Sequence, residues 1–359
     1  MAPCDPPRQP RLARRTARHH HRQAGPALTH AAFPYEAPWW LPGGNAQTIW
    51  AARVARRSFG AAPRWRRSRW STPDGDFIDV DEACHASASN APLLVLFHGL
   101  EGSSASQYAV AFADFAAAHG LAYAVPHFRG CSGEINHAPR AYHSGDFDEI
   151  DWILRRFALE HPGRPLLAVG VSLGGNALMR WAGETEQSAG RTVQAIAAVS
   201  SPLDLAAGGY AIGRGFNRMV YTRMFMGTMV PKALQKLEQH PGLFQREALL
   251  GARDLYEFDN LFTAPLHGFR DTLDYWTRAS AKPVLHRIRV PALALNARND
   301  PFVPVSSLPT LQDAGSHVTL WQPAHGGHVG FPVSHGPFGV PGHVRGMPEA
   351  VGHWLLAHL

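Results

Sequence analysis

The sequence predicts an α/β fold: a mostly parallel central sheet with helices on both faces and an inserted helical lid. Three observations carry this. From Pro92 onward, short apolar runs alternate with longer stretches of helical period, the pattern of strand–helix units that build a parallel sheet. After Ser200-Ser201-Pro202-Leu203-Asp204 the alternation stops, and residues of about 205–280 are helical in pattern and rich in Met, Phe, Tyr and Arg. One apolar strand, Leu166 to Val171, runs into Gly170-Val171-Ser172-Leu173-Gly174 and then into an amphipathic helix.

The chain opens on a tail, residues 1–30, that is Arg-rich with few apolar residues and is expected to be disordered. From about Phe33 prolines, amides and aromatics combine in Pro38-Trp39-Trp40-Leu41-Pro42 and Asn45-Ala46-Gln47-Thr48-Ile49-Trp50. So many tryptophans read either as an arm packed on the domain or as a tryptophan-lined ligand site. Trp65 to Trp70 and Phe77 to Val80 flank the turn signal Thr72-Pro73-Asp74-Gly75-Asp76 and read as a hairpin. Pro92 to Phe97 is a central strand, Ser106 to His119 a helix and Ala122 to Pro126 a strand. A helix over Asp146 to Leu159 leads to the strand that ends at Ser172, and Val193 to Val199 is the next strand. Beyond the insertion, strands resume at Ala292 to Leu295 and His317 to Trp321. A helix from Pro348 to about Ala357 closes the chain. Residues 31–359 thus read as one domain carrying the lid.

Composition excludes several classes. With 45% hydrophobic and 17% charged residues the chain can bury a sizeable core. No apolar run approaches the ~18 residues of a membrane span. The net charge of +6 belongs mostly to residues 1–22, which hold six arginines and one aspartate, so the body is not basic and no nucleic acid is expected as partner. Three widely spaced cysteines (Cys4, Cys84, Cys131) form no disulfide framework, which points to a reducing cytoplasm. The histidines show no zinc-site spacing, and neither a P-loop nor a helix-opening G-x-G-x-x-G is present, so no metal and no cofactor are expected.

Of all serines, only Ser172 has glycine at both −2 and +2. A serine between strand and helix in this setting sits on a strained turn with its hydroxyl projecting, while the Leu173 N–H points where an acyl oxyanion would form. A serine hydroxyl needs a base, and the base an orienting acid. Asp300 lies just past the strand Ala292 to Leu295, and His328 just past His317 to Trp321, which gives the order serine, acid, histidine of the α/β-hydrolases. Asp204 and Asp259 are the rival acids, and His325 the rival base. The loop His98-Gly99-Leu100-Glu101-Gly102 follows the central strand and offers the Leu100 N–H as second oxyanion donor.

These residues resemble the YheT-like branch of α/β-hydrolases, the AB hydrolase 4 family. The carriers are Pro38-Trp39-Trp40-Leu41 with Gln47-Thr48, the His98 loop, Phe128-Arg129-Gly130-Cys131-Ser132-Gly133-Glu134, and Tyr142-His143-Ser144-Gly145. They continue with Gly170 to Asn176, Phe258 to Phe269, Asn296 to Phe302, and Gly326-Gly327-His328-Val329-Gly330-Phe331. The resemblance covers nearly everything from about Pro34. It departs at Gly43-Gly44-Asn45-Ala46 and at His127, where an asparagine is more usual. It implies a Ser-His-Asp carboxylic ester hydrolase acting on short- and medium-chain esters or acylglycerols through Ser172, Asp300 and His328, and it favours His328 over His325 and Asp300 over Asp204.

The expected function is therefore a serine esterase that forms an acyl-enzyme on a small-molecule ester. An acyltransferase with the same triad, and a non-catalytic binder with an inert hydrolase body, are the alternatives. Acyl length and oligomeric state stay open.

Overall fold

The computed structural model describes residues 33–85, 87–334 and 342–359. The expected disordered tail, residues 1–30, lies outside the described residues. Eight strands form one sheet: β1 (Trp65–Ser71), β2 (Phe77–Ala83), β3 (Leu93–Phe97), β4 (Ala122–Pro126), β5 (Leu166–Val171), β6 (Ala195–Val199), β7 (Ala292–Leu295) and β8 (Val318–Trp321). Their order across the sheet is β1-β2-β4-β3-β5-β6-β7-β8. Pairing is parallel from β4 through β8 and antiparallel only where β2 joins β1 and β4. The mostly parallel sheet read from the sequence is thus the one that forms.

Strands β3, β5, β6 and β7 are buried along their whole length, which is why they read as unbroken apolar runs. The edge behaves differently. In β1, Arg66, Arg67 and Arg69 stand directly opposite Glu82, Asp81 and Asp79 of β2 and form ion pairs with them. A charged edge of this kind also discourages pairing with another chain.

Helices cover both faces. On one face α3 (Phe147–Glu160) and α4 (Leu173–Thr185) bury Ile150, Phe157, Leu178 and Trp181 against the sheet. On the other, α2 (Gln107–Ala118) and the C-terminal helix Gly346–Leu356 bury Phe112, Phe115, Val351 and Leu355. The proline- and tryptophan-rich arm contains a helix that the sequence did not announce, α1 (Gly43–Arg53). Trp40 packs edge-on against Trp50 at 5.2 Å, and Trp39 is largely exposed. No arm tryptophan borders the cavity that holds Ser172, and the Trp40–Trp50 contact fits an arm packed on the domain.

Between β6 and β7 the chain is helical. It contains α5 (Leu205–Ile212), α6 (Arg223–Gln239) and α7 (Thr272–Ala279), joined by short helical turns. No helix among the described residues is long and apolar enough to cross a membrane. The loops leaving the carboxyl ends of β3, β5, β7 and β8 converge on one crevice, the usual place for a site in a parallel α/β sheet.

Trp181 is fully buried on α4, and its indole N–H donates to Asp151 Oδ1 at 2.9 Å. Trp181→Ala leaves a cavity and removes one of the two partners of Asp151, whose Oδ2 stays paired with Arg155 at 2.6 Å. We expect a loss of about 3–5 kcal/mol, read as a lowered urea midpoint; an unchanged midpoint would show that the α3–α4 layer repacks freely.

Candidate active site

Ser172 joins β5 to α4 with φ 52° and ψ −118°, a region side chains other than glycine rarely adopt. Two constraints impose this. The Ser172 N–H donates to Val199 O at 2.8 Å, continuing the β5–β6 ladder past the strand's end. The helix must then start almost on top of the strand. A Cβ at Gly170 would stand 2.5 Å from Gly174 O, one at Gly174 2.4 Å from Phe97 O, and one at Gly175 1.9 Å from Ser201 Oγ. Those glycines are therefore steric necessities of the turn, and its result is a hydroxyl aimed away from both elements.

The loops after β7 and β8 bring the expected partners to that hydroxyl. Ser172 Oγ lies 3.0 Å from His328 Nε2. His328 Nδ1 lies 2.9 Å from Asp300 Oδ2 and 3.2 Å from Oδ1. A buried carboxylate at Nδ1 fixes the proton there, so Nε2 is left as the acceptor facing serine. Asp300 is itself held, because Oδ1 accepts the Phe302 and Val303 amides at 2.8 and 3.3 Å. The His328 side chain keeps 9% of its surface exposed and the Asp300 side chain none.

The rivals stand elsewhere. Asp204 caps α5 by accepting from the Ala207 amide. Asp259 accepts from Thr263 Oγ1 and from the Trp276 indole. His325 is exposed, 3.4 Å from Asn299 Nδ2.

Leu100 and Leu173 border the same cavity as Ser172. Among the described residues neither amide N–H has a hydrogen-bond partner, which suits donors awaiting an oxyanion. Neighbouring groups set the shape of the Leu100 loop. The Gly99 amide donates to Tyr108 Oη and the Glu101 amide to Tyr142 Oη, both at 2.9 Å. Glu101 itself has φ 57°. His98 Nδ1 pairs with Gly99 O at 2.8 Å, and His98 Nε2 accepts the Phe128 amide at 3.0 Å. Complete burial lowers the His98 imidazole to about 3, so it is a neutral structural brace. From the sequence His98 and Tyr142 stand only as members of motifs, with no role given to them, and Tyr108 is passed over; the partners of all three are fixed only by the fold.

The cavity beside Ser172 measures about 140 Å³. Leu205, Ile212, Phe225, Met229, Phe258 and Phe262 from the inserted helical segment give it an apolar wall. Lys232, Lys236 and Asp259 line it as well. Burial lowers Lys236 to about 8 and pushes Asp259 up to about 6. Among the described residues, ligand atoms of His119, Glu349 and His353 fall within 4.8 Å of one another away from this cavity. Glu349 is already bonded there to Arg345 at 2.6 Å.

Fold and site together define an α/β-hydrolase of the esterase and lipase type. The sequence profile described as alpha/beta hydrolase fold matches residues 92–334. The Escherichia coli (strain K12) protein named "Putative esterase YheT" is 39% identical over 282 residues, 78% of this chain and 82% of that one. The chain belongs to this YheT-like family of α/β-hydrolases. "Phospholipase ABHD3" of Homo sapiens is 26% identical over 317 residues, 85% of this chain and 75% of its own. "Monoacylglycerol lipase" of Saccharomyces cerevisiae is 28% identical over 274 residues, 74% of this chain and 59% of its own. Among solved structures, a membrane phospholipase A shares the fold with a TM-score of 0.50 at 15% identity, covering 82% of this chain and 86% of that one.

An ordinary aspartate titrates near pH 4, whereas Asp259 is held near about 6. The folded state therefore binds an extra proton across that window. The stability this supplies is full below pH ~4 and is lost as pH rises through about 6. Asp259→Asn cannot ionise, so its urea midpoint should fall less than wild type between pH 4 and 7. The difference between the two curves separates Asp259 from Glu149, which burial also pushes up; parallel curves would refute the assignment.

Proposed function

We propose that this protein is a serine hydrolase that cleaves carboxylic esters of short or medium acyl chains, acylglycerols among them. The observation that carries the reading is the unbroken hydrogen-bond chain from Ser172 through His328 to Asp300, opening on an apolar cavity. The names of the relatives, an esterase and a monoacylglycerol lipase, support the same class.

In this mechanism Ser172 Oγ attacks the ester carbonyl while its proton passes to His328 Nε2. The Leu100 and Leu173 amides hold the developing oxyanion, worth about 10²–10³ in turnover per donor. Asp300 keeps Nδ1 protonated and stabilises the imidazolium, which then protonates the leaving alcohol. Water enters, gives its proton to the same Nε2, and attacks the acyl-enzyme, and collapse returns the acid and the free serine. The inserted helical segment, as a lid over residues of about 205–280, seats the acyl chain against its apolar wall and limits water.

A fluorophosphonate probe tests this directly. Ser172 Oγ bonds to phosphorus, fluoride leaves, and His328 takes the proton. Wild type should label, Ser172→Ala should not, and p-nitrophenyl esters should give an optimum at short to medium acyl length. A folded wild type that neither labels nor hydrolyses any ester would overturn the reading.

A further inference from the structure

The N-terminal arm touches the proposed machinery without lining the cavity, and its contacts are unusually specific. Thr48 Oγ1 accepts the His328 amide at 2.8 Å while donating to Gly44 O at 2.7 Å, so both roles of the hydroxyl are taken. Gln47 Oε1 accepts two donors, the Gly326 amide at 2.8 Å and Asn299 Nδ2 at 3.0 Å, and its Nε2 donates to Leu41 O. Asn299 Oδ1 in turn accepts the Gly327 amide at 3.0 Å. The network thus joins the residue before Asp300 to the two residues before His328. Gln47 and Thr48 are both buried.

Backbone contacts confirm how close this approach is. A Cβ at Gly44 would meet Asn299 O at 1.8 Å. One at Gly327 would meet Gly44 O at 2.6 Å and Thr48 Oγ1 at 2.7 Å, and one at Gly330 would meet Gln47 O at 2.7 Å. Glycine at all three places lets α1 lie directly on the loops after β7 and β8. The His328 loop needs such a hold. Val329 and Phe331 have φ 55° and 42°, and beyond the arm helix the loop is anchored by Ser200 Oγ, which accepts the Val329 amide at 2.9 Å, by Asp300 at the His328 imidazole and by Tyr35 Oη, which donates to Pro332 O.

We infer that Gln47 and Thr48 are positioning residues, which hold the Asp300 and His328 loops in register so that Nε2 faces Ser172. This rests on the serine-hydrolase reading above. Neither side chain borders the cavity, so their loss should leave substrate binding alone and act on the chemical step. A displacement of about 1 Å in a reacting group can cost on the order of 10² in rate.

The test compares Thr48→Val, Thr48→Ser and Gln47→Met in the full chain, with the urea midpoint measured for each. Thr48→Val keeps the shape of threonine but accepts no hydrogen bond, and Thr48→Ser keeps the acceptor. For Thr48→Val and Gln47→Met we expect kcat and the fluorophosphonate labelling rate to fall about 10–10²-fold with KM within about twofold of wild type. Thr48→Ser should recover most of that rate. Should Thr48→Val not fold, Gln47→Met carries the comparison. Folded variants that label and turn over as fast as wild type overturn the positioning role while leaving the hydrolase reading intact. A loss of rate that Thr48→Ser does not rescue, or one expressed in KM alone, overturns it as well. A wild type that never labels removes the hydrolase reading and this inference together.

Discussion

The site depends on how closely α4 starts against β5. Gly170, Gly174 and Gly175 have no Cβ because backbone or a buried hydroxyl occupies the space each Cβ would need, at 2.5, 2.4 and 1.9 Å. Close packing of strand and helix forces the chain to reverse within one residue, and that residue is Ser172 with its positive φ. A conformation costing on the order of 1–3 kcal/mol persists because everything around it is rigid: β6 holds the Ser172 amide, and Gly99 lies against the Ser172 side chain, where a Cβ would sit 3.2 Å from Ser172 Cβ. The strain is local, and its consequence is a half-buried serine whose hydroxyl opens on the cavity above a buried sheet.

A second set of constraints brings the partners within reach. The Asp300 and His328 loops are separate excursions from neighbouring strands, and nothing in the β7–β8 pairing alone would align them. The Asp300 carboxylate, the Ser200 hydroxyl and the arm helix α1 together leave the imidazole little freedom. Preorganisation of this kind matters more than the strength of any one bond, since each contributes only about 1 kcal/mol net.

The inserted segment is fastened to the sheet domain by buried polar contacts as well as by its apolar face. Lys232 of α6 pairs with Glu101 at 2.9 Å, and Lys236 donates to the Asn136 and Ala138 carbonyls. Asn176 on α4 satisfies the Ser144 and Ala279 carbonyls and the Ala281 amide. Beneath them Arg129 is buried among Asp74, Asp76 and Glu149, which ties the Phe128–Asn136 stretch to the β1–β2 turn and to α3. Removing one member would strand a charge out of water, a larger penalty than the pair's own attraction. These contacts give Arg129 and Asn176 structural roles although neither side chain meets the Ser172 hydroxyl.

The sequence by itself determined the strand–helix alternation, the parallel sheet, the interruption after β6 and the residue types placed after β5, β7 and β8. Those are local properties: apolar period, glycine spacing and chain order are written in consecutive residues. It did not announce α1, because Gly43-Gly44-Asn45 is a poor helix start and the arm's prolines and tryptophans mask its period. Spacing alone left Asp204, which also follows a strand, and Asp259, in the helical insertion, as rivals to Asp300, since an acid is unremarkable at any of the three places. The tertiary structure separates them by partner, a helix cap, an indole and an imidazole. Nor could it join Gln47 to Gly326 or Thr48 to His328, which lie 279 and 280 residues apart. Side-chain hydrogen bonds of such separation leave no periodic trace, because their geometry exists only after the sheet has brought the two ends of the chain together.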